Sequence, residues 1–444
     1  DERRGGSGED RISGLPDELL HNILVRLRSA QAAGRTSVLS RRWRHVWAHL
    51  PELRLVAPRA AAAAAASFLD TVDGALAGYL APTLGHLSIS LEQRDVSITA
   101  GRVAPWLQFA AEHRAGEIHL RVPLNPRRLF EPEEVGDEAV LELPACEGAK
   151  QIQLNLTHEW RLRLQASSLF TVLTSMKIMH GRMEGSELTS LVCSQCPCLR
   201  DLTLFLELIA GSDVWMHSSS LRSLALVVKN MWRLEVVAPK LEELTLNYEP
   251  VEAHISAPKL VKVAWNADVD IQFADVGRSL QLLEATNYAV PFLTKQFDEV
   301  DELKLNIYIP RGVAGYGSFL NETNKLPKCK SFKICLARGN HALVPSVLQL
   351  LKNCSSTKKF SVTLEVSGNR ASCPAPCPCC LDNIDSVALS SLEEVEINYF
   401  TYSHENMELV EFLSSNAAIL KRLVIISVPP LTKEVCEKIR IMCH

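Results

Sequence analysis

Cys196-Pro-Cys-Leu-Arg-Asp-Leu-Thr-Leu204, Ala238-Pro-Lys-Leu-Glu-Glu-Leu-Thr-Leu246 and Ala257-Pro-Lys-Leu-Val-Lys-Val-Ala-Trp265 share one pattern. Apolar side chains stand at positions 1, 4 and 6 of a short run: Leu199/Leu202/Leu204, Leu221/Leu224/Leu226 and Leu241/Leu244/Leu246. Looser copies follow at Leu260/Val263/Trp265, Leu280/Leu283/Ala285 and Val300/Leu303/Leu305. Their first positions step by 22, 20, 19, 20 and 20 residues. The last two apolar residues of each run are two apart, so both face the same side of a strand. One such strand cannot close a core alone, and a fixed period lets its neighbours close it by stacking. The pattern therefore predicts a curved solenoid with a parallel β-sheet.

The period lies at the short end of the leucine-rich-repeat range of about 20–29 residues. Connections this short leave room for a turn or a 3₁₀ segment more readily than for a full helix. Proline in Ala238-Pro and Ala257-Pro ends one segment and fixes the chain before the next strand. Weaker pairs extend the array: Leu84/Leu87/Ile89, Ile118/Leu120, Ile152/Leu154 and Met176/Ile178 before it, Phe332/Ile334 and Val362/Leu364 after it. The wider spacings there imply helices or loops between strands, one of them a helix over Trp106–Ala111. Val122–Gly148, rich in Pro and Glu, reads as an excursion from the solenoid.

The N-terminus follows a different rule. Leu20, Ile23, Leu24 and Leu27 recur at the spacing of one helical face, behind Pro16, Asp17 and Glu18, which suit a helix start. Ser40 can cap a further helix carrying Trp43, Val46, Trp47 and Leu50. A module this small cannot bury its apolar surface alone, so part of that surface is expected to meet a partner. Between Asp10 and Leu50 seven arginines face three acids, a local surplus suited to an acidic partner.

The stretch from Asp10 to Leu55, with Leu15-Pro-Asp-Glu-Leu-Leu20 and Leu39-Ser-Arg-Arg-Trp43, closely resembles an F-box of the plant F-box/leucine-rich-repeat type. Cys196-Pro-Cys-Leu199 resembles the repeat opening of the same family. Leu392-Glu-Glu-Val-Glu-Ile-Asn-Tyr-Phe400 with the helix after it resembles the family's C-terminal FBD domain, capping the open end of the solenoid. The resemblance implies docking to a Skp-type adaptor, and through it to a cullin–RING ubiquitin ligase. The docking positions it implies are Leu15, Pro16, Leu19, Leu20, Ile23, Leu24, Leu27, Leu39 and Trp43, partly exposed in the isolated chain. The expected organisation is a disordered tail over 1–9, an F-box over 10–55, the solenoid over 56–385 and an FBD-like cap over 386–444.

Composition agrees. The chain has 444 residues, 47% hydrophobic but only 6% aromatic, which points to a Leu/Val/Ile core. A net charge of −4 excludes a global basic field for nucleic acid or membrane. No apolar run reaches the 18 or so residues of a membrane span, and residues 1–9 show no signal peptide. Asp1 in place of an initiator methionine implies sequence upstream. Thirteen cysteines without a secretory signal read as reduced thiols, and the expected location is cytoplasmic or nuclear.

No catalytic motif stands out, and the expected role is a non-catalytic substrate receptor without cofactor. Cys373, Cys377, Cys379 and Cys380 crowd one proline-stiffened segment, where adjacent Cys379 and Cys380 cannot easily turn to one metal; a loop without metal is expected. Cys193, Cys196 and Cys198 are expected in the repeat core. Gly312, Gly315 and Gly317 read as a loop, and the histidines show no metal-ligand spacing. Between the inward leucines lie the variable strand residues Arg200, Thr203, Ser223, Ala225, Glu243, Thr245, Lys262 and Ala264. These are expected to face a protein substrate, of which Arg200, Thr203, Ser223, Glu243, Thr245 and Lys262 are the candidate contacts, with Trp265 as an anchor. Two further roles fit the same sequence: a receptor whose solenoid pocket takes a hormone-like ligand, and a scaffold that binds the adaptor without promoting degradation.

Overall fold

The structure is a computed structural model describing residues 15–26, 46–57, 62–91, 98–124, 139–165, 167–247, 250, 252–266, 271–364, 373, 377–380, 388–428 and 430–442. The chain divides into two compact units, Asp1–Leu221 with Ala225–Trp232, and Arg222–Leu224 with Arg233–His444. Both are built on parallel strands.

In the first unit helix α1 (Asp17–Arg26) precedes the strands β1 (Glu52–Val56), β2 (His86–Ser90), β3 (Glu117–Arg121), β4 (Val140–Leu143), β5 (Gln151–Asn155), β6 (Arg161–Leu164), β7 (Ser175–Met183) and β8 (Asp201–His217). The main ladder runs β1–β2–β3–β5–β7–β8. Its register aligns Leu53, Leu87, Ile118, Ile152, Met176 and Leu202 in one buried row, and Leu55, Ile89, Leu120, Leu154, Ile178 and Leu204 in the next. Helices α2 (Ala62–Ala77) and α3 (Ala100–Glu112) fill the longer connections, and Trp106 of α3 is buried, its indole N–H donating to Asp73 of α2 at 2.8 Å. The excursion expected over Val122–Gly148 holds a strand after all: β4 pairs with β6 in a second, shorter ladder, because Leu141 and Leu143 alternate as a strand's inward face does.

The second unit takes the Arg233–Val237 half of β9 (Ser223–Val237) and continues with β10 (Glu243–Asn247), β11 (Glu252–Ser256), β12 (Lys262–Trp265), β13 (Ile271–Ala274), β14 (Ser279–Thr286), β15 (Glu299–Tyr308), β16 (Lys328–Ala337), β17 (Lys359–Leu364), β18 (Glu394–Phe400) and β19 (Arg422–Ser427). The main ladder is β10–β12–β14–β15–β16–β17–β18–β19, all parallel. One inward row reads Leu244, Val263, Leu283, Leu303, Phe332, Phe360, Val395 and Leu423. In the other, Trp265 lies between Leu246 and Ala285. A large residue beside a small one keeps the layer filled. Trp265 is fully buried, so it is a core residue and not the surface anchor the sequence suggested.

Connection length limits how long a helix can cross between strands. Where the register advances only from Leu244 to Val263, or from Val263 to Leu283, no helix fits. There the chain forms a second strand in place of the expected turn, and the Arg233–Val237 half of β9, β11 and β13 make a second parallel ladder. From Leu303 to Phe332 and from Phe332 to Phe360 the advance is larger, and helices occupy it. The short helices α4 (Gly185–Ser190) and α5 (Val290–Leu293) precede them in the chain. The helices in these wider connections are α6 (Val313–Glu322) and α7 (Leu343–Lys352), and α8 (His404–Asn416) follows β18. Ten residues of α-helix span about 15 Å, enough to cross and return only when the connection has residues to spare. Gly315 and Gly317 therefore lie in α6 and not in a loop, behind Gly312 at φ +87°. The chain's last helix, α9 (Lys433–Met442), buries Val435 and Ile439 beyond β19. Among the described residues no helix is long and apolar enough to cross a membrane.

In four of the repeats the opening turn is closed by the same bond. Leu199 N–H donates to Cys196 O, Leu241 to Ala238 O, Leu260 to Ala257 O, and Leu392 to Leu389 O, at 3.0 to 3.2 Å. This is an i to i+3 turn, and proline at its second position in the first three presets φ. The next amide then reaches back one repeat: Arg200 N–H to Thr174 O, Glu242 to Arg222 O, Val261 to Glu242 O, Gln281 to Val261 O.

Leu246→Ala is expected to cost about 2–5 kcal/mol, as large-to-small changes in packed cores do. Lys262→Ala on the opposite face should leave the urea midpoint nearly unchanged. Equal loss of midpoint in both variants would contradict this division between inward and outward rows.

Candidate functional site

The N-terminal module places its candidate residues on two sides of α1. Pro16 is exposed, Leu15 half-buried, and Leu19 and Ile23 remain 48% and 40% exposed. Leu20 and Leu24 are buried, which corrects the expectation that they lie partly exposed in the isolated chain. One helical turn apart, they share α1's inner face, and His21 ties that helix to the Val46 carbonyl at 3.0 Å. The first contacts available are thus Pro16, Leu19 and Ile23. Leu27, Leu39 and Trp43 lie outside the described residues.

The outward rows of the main ladders make the second candidate surface. Thr203, beside Lys177, and Glu243, Thr245, Lys262 and Ala264 take outward strand positions and are half-buried; Ser223 and Ala225, also half-buried, lie on β9, and Arg200 is exposed just before β8. Glu243 and Lys262 are partners in register, with Lys262 Nζ donating to Glu243 at 2.6 Å. That bond and the carboxylate's charge hold the Lys262 ammonium above the usual lysine range. The same row continues through Leu282, Glu302, Ser331, Lys359, Glu394 and Arg422. Beside it run Thr245, Ala264, Glu284, Lys304, Lys333, Ser361 and Glu396, and then Asn247, Thr286, Asn306, Cys335, Thr363 and Asn398. Tyr308, 59% exposed, ends the outward side of β15 and supplies the aromatic group that Trp265 does not. The sequence signal for it was available: the β15 alternation places Tyr308 in phase with Glu302, Lys304 and Asn306.

Two histidines of the first unit sit against each other where β7 bulges between Met179 and Arg182. His180, at φ +65°, packs edge-on to His158 and to Phe205. Burial, then the neighbouring His158, lowers the His180 pKa from 6.5 to about 4. The folded chain thus resists a proton that the unfolded chain accepts. This contribution to stability is complete above pH 6.5 and is lost as pH falls toward about 4. His180→Asn tolerates the positive φ and should flatten the pH dependence of the urea midpoint across that window. An unchanged dependence would exclude His180 as its source.

The cysteines divide by environment. Cys196 is buried, and burial pushes its thiol up to about 12. Cys193 and Cys198 are exposed, contrary to the core position expected for all three. Only the turn-opening position points inward; Cys198 is the turn's third residue, and Cys193 faces the Trp215 carbonyl and the His217 amide. In the second unit Cys373, Cys377 and Cys379 gather around His341, a buried residue that sequence spacing missed, while Cys380 faces solvent. The partner histidine lies more than thirty positions upstream, so no local motif could reveal it.

An apolar helix face left partly open at the N-terminus, followed by parallel repeat ladders with a polar outward side, is an arrangement similar to that of F-box proteins of the leucine-rich-repeat type. Residues 12–55 match the F-box domain. The chain is similar over most of its length to F-box/FBD/LRR-repeat proteins of Arabidopsis thaliana: one is 26% identical over 94% of this chain and 89% of its own length, another 25% identical over 94% and 85%. F-box/LRR-repeat protein 25 of the same plant is 28% identical over 55% of this chain and 88% of its own length. F-box domains in general bind Skp-type adaptors, and proteins of this family are in general non-catalytic adaptors.

Proposed function

We propose that this protein is the substrate-recognition subunit of a Skp–cullin–F-box-type ubiquitin ligase. The observation that carries the reading is the F-box match over 12–55, joined to a repeat array that keeps one face free of core duty. The F-box, over 10–55, docks the Skp-type adaptor through Pro16, Leu19 and Ile23, while Leu20 and Leu24 hold the helix behind them. The surplus of arginine in this region steers it toward an acidic partner. The solenoid over 56–385 holds a protein substrate, and the FBD-like region over 386–444 closes the array. Catalysis by the assembly is proximity: a bound substrate raises the local concentration of its lysines at the ubiquitin-charged enzyme. Such a chain works in the cytoplasm or nucleus.

The substrate surface is the outward face that includes Arg200, Thr203, Ser223, Glu243, Thr245 and Lys262, with Tyr308 as its aromatic anchor. Alternating charges with a few aromatics suit a polar protein surface better than a greasy ligand.

Leu19→Asp with Ile23→Asp should weaken capture of a Skp-type adaptor by more than about 30-fold, since central contacts cost about 2 kcal/mol or more each. Circular dichroism of the variant should match the parent chain. Undiminished capture sinks the docking assignment. Glu243→Lys with Tyr308→Ala should leave the adaptor bound and remove co-purifying non-ligase proteins; an unchanged set of partners would move substrate binding elsewhere.

A further inference from the structure

We propose that Nδ1 of His341 and the thiolates of Cys373, Cys377 and Cys379 bind one zinc ion, which pins the connection between β17 and β18 to the loop entering α7. Tetrahedral zinc, with Zn–S about 2.3 Å and Zn–N about 2.0 Å, places its ligand atoms roughly 3.5–3.8 Å from one another. Here Nδ1 of His341 lies 3.3 Å from Cys373 Sγ, 3.6 Å from Cys377 Sγ and 3.3 Å from Cys379 Sγ. Cys377 and Cys379 have their sulfurs 3.3 Å apart, and all four ligand atoms fall within 4.8 Å of one another. Four side chains from two distant segments thus already stand at close to the spacing of a filled coordination shell.

The surroundings fix the histidine in the form a metal requires. His341 is fully buried, and its Nε2 lies 2.8 Å from the Pro310 carbonyl oxygen. A carbonyl only accepts, so Nε2 carries the proton and the Nδ1 lone pair points at the sulfurs. Gly315 makes this possible, since a Cβ there would overlap the Pro310 carbonyl oxygen. Gly339, at φ +56°, turns the chain two residues before His341. Arg338 then binds both the His341 carbonyl and Glu405 of α8, and the Tyr316 ring covers the imidazole at 5.0 Å.

The cysteine segment is arranged to match. The 3₁₀ turn Pro378–Cys380, closed by Cys380 N–H to Cys377 O at 2.9 Å, turns Cys377 and Cys379 inward and Cys380 to solvent. Cys380 Sγ lies 3.6 Å from Cys379 Sγ, but it is exposed and stands outside the four ligand atoms that fall within 4.8 Å of one another. The fourth ligand, which the segment alone lacks, is His341. Three thiolates and an imidazole select zinc over the oxygen-seeking Mg²⁺ and Ca²⁺, and four protein ligands leave no open position for substrate. The role is structural: the ion closes a long excursion of the chain, whose ends would otherwise meet only at an entropic cost.

Elemental analysis of the full-length chain, purified without chelator, should find one zinc per chain. Cobalt(II) in its place should give the intense visible d–d bands and the near-ultraviolet thiolate charge-transfer band of a tetrahedral thiolate site. Cys379→Ser and His341→Ala should lose the metal, His341→Cys should retain it, and Cys380→Ser should bind as the parent does. A chelator should lower the thermal midpoint of the parent chain but not of Cys379→Ser. If the ligand variants precipitate, the cobalt spectrum of the parent chain decides alone. A parent chain with no stoichiometric zinc and no cobalt spectrum overturns the proposal. So does metal loss in Cys380→Ser equal to that in Cys379→Ser, or a disulfide among these cysteines in freshly reduced-and-purified protein.

Discussion

The backbone bond that carries most of the repeats back to their predecessors sets the register of the strands. At Leu199, Leu241, Leu260 and Leu392 a buried Cys, Ala or Leu opens the turn, the residue three along donates to it, and the following amide reaches a carbonyl of the previous repeat. Once that bond is placed, a strand has only one register, because a slip of one residue would turn every leucine outward. Leu244 must then meet Val263, and Glu243 must meet Lys262. The inward rows and the outward rows are two consequences of one main-chain contact.

What lies between those contacts is governed by the number of residues available. Advances of about twenty residues hold a second strand between β10 and β14 and only the short α5 between β14 and β15, whereas the larger advances from β15 to β17 hold ten-residue helices. The helix-bearing repeats also host the features that a pure strand stack has no room for. His341 enters α7 from such a connection, and Arg338 beside it reaches Glu405 of α8. The cluster of His341 with Cys373, Cys377 and Cys379 joins side chains that are far apart in the chain.

Much of this was legible in the amino-acid sequence. Leu202 and Leu204, or Leu303 and Leu305, announced their strands because alternation is a local property, and helix α1 announced itself through helical spacing at Leu20 and Leu24. Trp265 misled because a side chain's bulk suggests an anchor, whereas its phase in the pattern places it inside. Tyr308 was overlooked although it stands on the outward phase. The spacing of Leu20 and Leu24 points to partial exposure, because periodicity identifies a face without saying what covers it. The Gly312–Gly317 segment read as a loop because glycine disfavours helices locally, but packing in α6 overrides that preference. His341 was illegible, since its partners are far away in the chain and meet it only through the fold.

The Glu243–Lys262 pair has a further consequence. It lies on the solvent side of strands whose cohesion comes from the opposite face, so replacing either member disturbs little of what holds the strands together. The same holds for Glu302 between Lys304 and Lys333, and for Lys359 beside Glu394. Such a face can accumulate substitutions without approaching the threshold at which the protein unfolds. The outward residues of these strands are therefore free to differ in charge and size while the interior stays the same.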